Sequence, residues 1–333
     1  MSQTELHSVV VPMFREAEGA EEFHRQLTAA LSVLPSYEIV YVEDHSPDRT
    51  HEVLCALAAS DPHVRVLRFS RRYGHQIALT AGIDFASGDT VTVMDGDLQH
   101  PPDLVPRFVD EWRRGADVVF GIKQPSSVES RRKRYTAKAF YLAMRTLAEV
   151  DIPGQAQDFR LTSRRATDAL RTMREQHRYL RGMAGWIGYE RAFVTYEPGQ
   201  RFAGATGYSA ARMLRLALDG IFSFSTRPLK IATWVGFILA AAGLFYALFL
   251  AVLWALGGAL VAGWTSLFVA LLIFSGIQLI TLGILGEYVG RIYEEVQGRP
   301  LYLVENAVGF APVDREETVG EASAQPNGSP AAR

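Results

Sequence analysis

Val91-Thr92-Val93-Met94-Asp95-Gly96-Asp97-Leu98-Gln99-His100-Pro101-Pro102 is the stretch on which the reading of this chain turns. Its first four residues, β-branched and apolar, predict a short buried strand, and the chain then delivers two carboxylates separated by one glycine. Asp95 and Asp97 are hard oxygen donors, Gly96 lets a bulky ligand approach the backbone, and Gln99 can add a carbonyl oxygen. Such a layout suits Mg²⁺ or Mn²⁺ shared between carboxylate and phosphate oxygens. A lone D-x-D also describes an ordinary turn after a strand, so its meaning depends on the sequence around it.

Working outward, His7 to Pro12 predicts a strand and Glu18 to Leu34 carries apolar residues at helical spacing. Tyr37 to Glu43 is a second strand, followed by Asp44, a turn through Ser46-Pro47-Asp48 and a helix to about Ala59. Val64 to Phe69 predicts a third strand and His75 to Ala86 a helix; beyond the D-x-D come a helix, Asp103 to Arg113, and a strand, Asp117 to Gly121. This alternation predicts an α/β fold with a mostly parallel, Rossmann-like sheet whose ligands sit at the carboxyl ends of its strands. Glu16, Asp44, Arg71 and Asp95 all fall just past such ends. Pro12-Met13-Phe14-Arg15-Glu16 stands where a dinucleotide-binding protein would carry G-x-G-x-x-G, which disfavours a dehydrogenase.

The 333 residues allow one large or two modest domains, and a formal charge of −2 argues against a general nucleic-acid binder. A single cysteine, Cys55, excludes an internal disulfide framework and any Cys-cluster metal site. Met-Ser-Gln-Thr-Glu-Leu-His at the start lacks the basic flank and apolar run of a secretory signal, so the first domain is expected in the cytoplasm.

Ile231 to Leu256 and Trp264 to Gly286 are apolar runs without a charged residue, each longer than the roughly 20 residues that span a bilayer core. Arg212, Arg215, Arg227 and Lys230 precede the first and Arg291 and Arg299 follow the second, whereas the connector 257–263 has no Lys or Arg. By the positive-inside rule both ends face the cytoplasm. Arg131, Arg132, Lys133, Arg134 and Lys138 crowd the start of a predicted helix whose later part, Phe140 to Leu147, is apolar. That run is either a solvated basic face or, as the spans favour, an interfacial helix or a clamp on an anionic acceptor.

Taken together, V-V-V-P-M-F-R-E, E-I-V-Y-V-E-D-H-S-P-D-R-T, S-R-R-Y-G-H-Q-I-A-L-T-A-G, M-D-G-D-L-Q-H-P-P, Q-D-F-R-L, L-A-L-D-G-I-F-S-F-S and G-E-Y-V-G-R-I-Y resemble the family 2 glycosyltransferases that load sugar onto polyprenyl phosphate. Bacterial glucosyl- and aminoarabinosyl-transferases and dolichyl-phosphate mannose synthases belong to that group. The resemblance covers nearly the whole chain in order. It implies a GT-A catalytic domain, residues 1–210, then a juxtamembrane helix, 211–230, two membrane helices, 231–256 and 264–286, and a cytoplasmic segment, 287–333, disordered after about 312. It also implies transfer with inversion from a nucleotide-diphospho-sugar, UDP-glucose favoured, to undecaprenyl or a related polyprenyl phosphate, at the inner face of the cell membrane.

Carried over residue by residue, the resemblance places Pro12, Glu16, Asp44, Ser46 and Asp95 around the donor and Asp95, Asp97 and Gln99 around a divalent Mg²⁺ or Mn²⁺. Asp158 and Arg160 in Q-D-F-R resemble the acceptor-side pair, counted with Asp97 as catalytic, and Arg131 and Arg134 the group that meets the acceptor phosphate. The expected partners are the nucleotide sugar, the polyprenyl phosphate and membrane lipid, with no nucleic acid, and a homo-oligomer is compatible. Phe14-Arg15 stands where Tyr-Asn is more often found, Glu43-Asp44-His45 where Asp-Asp-Gly is usual, and Gln157 where Gly is common, while Gly204 to Ser209 lacks a lysine before its tyrosine. These departures bear on base and sugar preference more than on the reaction class.

A phosphate monoester is already anionic near neutral pH, so positioning and charge matter more than a general base. Asp158 either accepts a proton or orients the nucleophile, or it is a structural carboxylate paired with Arg160. His45, His75 and His100 are read as hydrogen-bonding or packing residues, since no second His sits at ligand spacing. Competing readings are the same fold with GDP-mannose or another UDP-sugar, a processive polysaccharide synthase, and a non-catalytic lipid-binding scaffold. The synthase should carry Gln-x-x-Arg-Trp, which Arg181 to Trp186 does not provide, and the scaffold has no use for Asp95, Asp97, Asp158 and Arg160.

Overall fold

A computed structural model describes residues 5–124, 156–197, 227–256 and 263–310. The basic run with Arg131 and Arg134, the Gly204 to Ser209 stretch and the tail beyond 310 lie outside the described residues. The amino-terminal part alternates as its sequence predicts: β1 (His7–Met13), α1 (Ala20–Leu31), β2 (Tyr37–Glu43), α2 (Thr50–Ser60), β3 (Val64–Phe69), α3 (His75–Phe85) and β4 (Thr90–Val93). A 3-10 turn at Pro102–Leu104 leads into α4 (Val105–Arg113), because two consecutive prolines, Pro101 and Pro102, delay the regular helix. Then come β5 (Val118–Lys123), β6 (Ala156–Ser163), α5 (Arg164–Thr172), α6 (Leu180–Trp186) and β7 (Arg191–Tyr196). Two long helices, α7 (Arg227–Ala255) and α8 (Trp264–Val296), precede a last strand, β8 (Val304–Val308).

The eight strands form one sheet in the order β7-β5-β6-β4-β1-β2-β3-β8. The centre, β4-β1-β2-β3, is parallel, and β6 and β8 run antiparallel to their neighbours. Both faces are covered, so β1 reads as a continuous apolar run. Val9, Val11 and Met13 pack with Phe23, Leu27 and Phe108 on one side, and Val10 packs with Ala78, Leu79 and Ala81 of α3 on the other. Strand order reverses between β1 and β4, the place where open α/β sheets receive ligands. Because β6 is antiparallel, its amino end lies at the same edge as the carboxyl end of β4, with Val93 opposite Arg160.

The helices α7 and α8 hold 29 and 33 residues and at ~1.5 Å per residue each exceeds a hydrocarbon core of about 30 Å. Their apolar windows, Leu229–Tyr246 and Ile273–Val296, are 6% and 0% buried within the protein. Trp234, Phe237, Leu244, Phe245, Leu279 and Leu282 are each more than half exposed. Apolar surface of that extent needs lipid to cover it, which associates the chain with a membrane. The helix α8 continues past Gly286, where its run without charged residues ends, to Val296, with Glu287 and Arg291 paired at 3.0 Å. Its end docks on the globular part: Glu294 lies 2.6 Å from His177 Nε2, and Glu295 accepts from the Gln176 amide at 2.6 Å.

Candidate active site

Among the described residues three other than glycine have positive φ: Arg15 (61°), His45 (49°) and Leu98 (62°). They follow β1, β2 and β4, so backbone strain gathers at the carboxyl edge of the sheet among the described residues. Side-chain hydrogen bonds hold these loops. Ser46 Oγ accepts from the Arg15 amide at 2.9 Å and donates to Asp48 Oδ1 at 2.6 Å, tying the β1 loop to the β2 loop. Asp48 also accepts from Thr50 N and Oγ1, and Thr50 Oγ1 in turn accepts from the Glu16 amide at 3.1 Å. Asp44, 4% exposed, accepts from the Tyr73 and Gly74 amides at 2.6 and 2.9 Å and so fixes the entry to α3. Burial raises its pKa, against the pull of those amides and of Arg72. Pro12 lies half-buried in β1, level with Val42 of β2.

In the D-x-D loop, Asp95 is 37% exposed and its amide donates to His100 Nδ1 at 2.9 Å. His100 is therefore a neutral acceptor; burial pushes its pKa down, and its ring stacks on Phe159 at 5.0 Å. Asp97 accepts from the Gln99 amide at 3.1 Å and from Gln99 Nε2 at 2.8 Å, which leaves the Gln99 carbonyl oxygen as an acceptor. A Cβ on Gly96 would meet Met13 Sδ at 2.5 Å, so the glycine lets the loop settle on the core beneath it, a reason the sequence reading did not find. Asp97 and Leu98 line a cavity of about 630 Å³ together with Arg15, Glu16, Asp48 and Arg49.

Asp95 also faces a second cluster. His75 Nε2 lies 3.5 Å from Asp95 Oδ1 and 3.7 Å from Asp158 Oδ2, bridging the two carboxylates. Asp158 further meets Arg160 Nη1 at 3.4 Å, Arg181 Nη2 at 3.4 Å and Gln76 Nε2 at 3.3 Å. Burial would raise the Asp158 pKa, but Arg181, His75 and Arg160 hold it far below the usual carboxylate range. Burial would lower the His75 pKa, and Asp158 and Asp95 raise it instead. Arg160 is fully buried, and its Nε and Nη2 have no hydrogen-bond partner among the described residues.

The structure thus brings Asp95, Asp158 and Arg160 together and places Asp97 and Glu16 on the adjoining cavity, with Gln99 hydrogen-bonded to Asp97. The sequence reading did not place His75, Gln76 or Arg181 in the site. His75 and Gln76 open α3 directly after Gly74 at φ 97°, and that glycine before a polar pair was the available signal. Among the described residues no three His, Cys, Asp or Glu side chains gather into a ready-made metal nest. Two carboxylates and an amide oxygen are a donor set that fits a hard divalent cation completed by phosphate oxygens and water.

The fold is an α/β sheet with charged residues gathered at one edge, joined to a pair of long apolar helices, and the family matches make it a sugar-transferring enzyme. Residues 8–171 match the glycosyl transferase family 2 model and residues 227–292 match the GtrB C-terminal hairpin. The chain belongs to the family 2 glycosyltransferases and has a GT-A-like sheet. It is 38% identical over 311 residues to the uncharacterised glycosyltransferase YkcC of Bacillus subtilis, covering 93% of this chain and 96% of that one. It is 38% identical over 300 residues to a prophage bactoprenol glucosyl transferase homolog of Escherichia coli, covering 90% and 98%. The bactoprenol glucosyl transferase of Shigella phage SfII is 37% identical over 301 residues, covering 90% and 97%.

Proposed function

We propose that this enzyme moves glucose from UDP-glucose to undecaprenyl phosphate with inversion, at the cytoplasmic face of the inner membrane. The observation that carries the reading is one sheet edge with two electrostatic halves. Asp95 and Asp97 form an acidic half, and the buried Arg160 with Arg181 around Asp158 forms a basic one, on a chain with two long, exposed apolar helices. The bactoprenol glucosyl transferase relatives supply the sugar and the lipid class.

In this reading a phosphate oxygen of the acceptor attacks the anomeric carbon, the bond from that carbon to the diphosphate oxygen breaks, and UDP leaves with the electron pair. Asp95, Asp97 and the Gln99 carbonyl would hold a divalent cation, which when bound offsets charge on the nucleoside diphosphate. Arg160 and Arg181, with Arg131 and Arg134 from the basic run, draw in an acceptor phosphate that the donor otherwise repels. Glu16, Ser46, Asp44 and Pro12 shape the donor side; Asp44 and Ser46 do so by fixing its loops, as their hydrogen bonds indicate. Residues 1–210, both termini and the end of α8 lie in the cytoplasm, with the connector near 257–263 outside.

The test is transfer of radiolabelled sugar to undecaprenyl phosphate in detergent, with UDP-glucose, other UDP-sugars and GDP-mannose offered in parallel. Lipid-linked glucose from UDP-glucose, with the anomeric configuration of the product opposite to that of the donor by NMR, is the expected result. Preference for another donor would displace the sugar assignment, and undiminished transfer by Asp95→Ala or in excess chelator would remove the metal.

A further inference from the structure

Gln76, the second residue of α3, holds two groups that are far apart in sequence. Its Oε1 accepts from the Leu180 amide at 3.0 Å, which fixes the orientation of the side-chain amide. Its Nε2 consequently faces Asp158 and donates to Oδ2 at 3.3 Å. Leu180 opens α6, and the next residue, Arg181, places Nη2 3.4 Å from the same Oδ2. One neutral amide therefore sets both the Asp158 carboxylate and the helix that brings its guanidinium partner. An amide is well suited to this position because Asp158 already has two guanidinium neighbours and an imidazole, so a further cation would add repulsion, whereas an uncharged donor adds direction alone.

We infer that Gln76 is a positioning residue for sugar transfer, holding Asp158 and Arg181 in the arrangement that receives the acceptor phosphate. The inference rests on the acceptor-side reading of Asp158 and Arg160 given above. Gln76 touches Asp158 and the Leu180 amide on the acceptor side, so its effect is expected in turnover rather than in donor affinity.

The decisive variant is Gln76→Glu in the full-length protein. It keeps an oxygen for the Leu180 amide but replaces the donor facing Asp158 by a second carboxylate. We expect kcat to fall about tenfold to a hundredfold, with the KM for the nucleotide sugar within about twofold of the parent. Gln76→Ala, which leaves room for water at the Leu180 amide, is the second variant and is expected to lose turnover in the same sense. Gln76→Glu, which keeps the Leu180 contact and alters only the link to Asp158, is also combined with Asp158→Asn: if that link is what it breaks, adding it to Asp158→Asn lowers residual turnover no further. Losses of equal size in both backgrounds, or a fall confined to KM for the donor, would mean a merely structural role and overturn the inference. Parental turnover in Gln76→Glu beside an inactive Asp158→Asn would overturn it as well, while leaving the acceptor-side reading intact. Parental turnover in Asp158→Asn itself would remove that reading.

Discussion

A single side chain, Arg160, shows how function and stability pull apart in this site. A guanidinium with no exposed surface and two nitrogens without a hydrogen-bond partner among the described residues has lost its hydration, and Asp158 beside it is the main group that offsets that loss. Replacing a buried ion by an apolar side chain of similar length is often neutral or favourable by about 1–4 kcal/mol, whereas stranding its partner costs about 3–5 kcal/mol. Asp158 would not be stranded, since Arg181, His75 and Gln76 still face it. Arg160→Met should therefore melt close to the parent, within about 2 kcal/mol, while transfer falls by about a hundredfold or more. Thermal unfolding in detergent and a transfer assay check the two halves separately. A collapsed melting temperature would make Arg160 a structural residue. The strained His45 gives a physical meaning to one departure from the family: a glycine is usual there because φ is positive, and here His45 Nδ1, hydrogen-bonded to the Phe69 carbonyl oxygen at 3.1 Å, holds the conformation instead.

At the level of elements, α3 carries most of the load between core and site, and its Gly82 decides how closely it sits on β1. A glycine inside a helix normally costs about 1 kcal/mol relative to alanine, so helix propensity alone makes Gly82→Ala stabilising. The added Cβ would overlap Cγ1 of Val10, a stiff β-branched side chain in the central strand with no exposed surface. Overpacking of this kind costs about 1–3 kcal/mol, so the packing effect wins and Gly82→Ala should destabilise. Val10→Ala in the same chain should recover part of the loss; a more stable single variant would show that α3 stands further from the sheet. The strands and helices up to β5 were legible because their apolar periods are strong and their turns are marked by Gly, Pro and Asp. The strand β8 was not: V-E-N-A-V is five residues with two polar positions, and only its antiparallel pairing with β3 makes it a strand. The D-x-D and Q-D-F-R stretches announced their carboxylates, but Gln76 and Asp158 are 82 positions apart, and no local pattern reveals that the antiparallel turn of β6 brings them together.

For the whole molecule, the response to acid follows from where its histidines are buried. Burial lowers the pKa of His7, His24 and His51, so the folded chain resists protonating them. The unfolded chain takes up a proton at each near pH ~6.5, and wherever the unfolded state binds more protons, stability rises with pH. Their contribution is complete above about pH 6.5 and is lost as pH falls toward the lowered folded values. His75 works in the opposite sense, since its raised pKa adds stability below that point, and Glu43 and Asp44, raised by burial, also favour the folded state as they take up protons. The clean measurement is therefore a difference between two chains rather than one absolute curve. His7 has 1% of its surface exposed, sits edge-on to Trp112 and places Nδ1 2.8 Å from Thr90 Oγ1, a contact that an asparagine oxygen can reproduce. In thermal melts from about pH 8 to about pH 5.5, His7→Asn should lose less stability on acidification than the parent, because one proton-binding site of the unfolded chain is gone. Parallel curves for the two chains would show that His7 titrates alike in both states, and that its burial does not set the acid response.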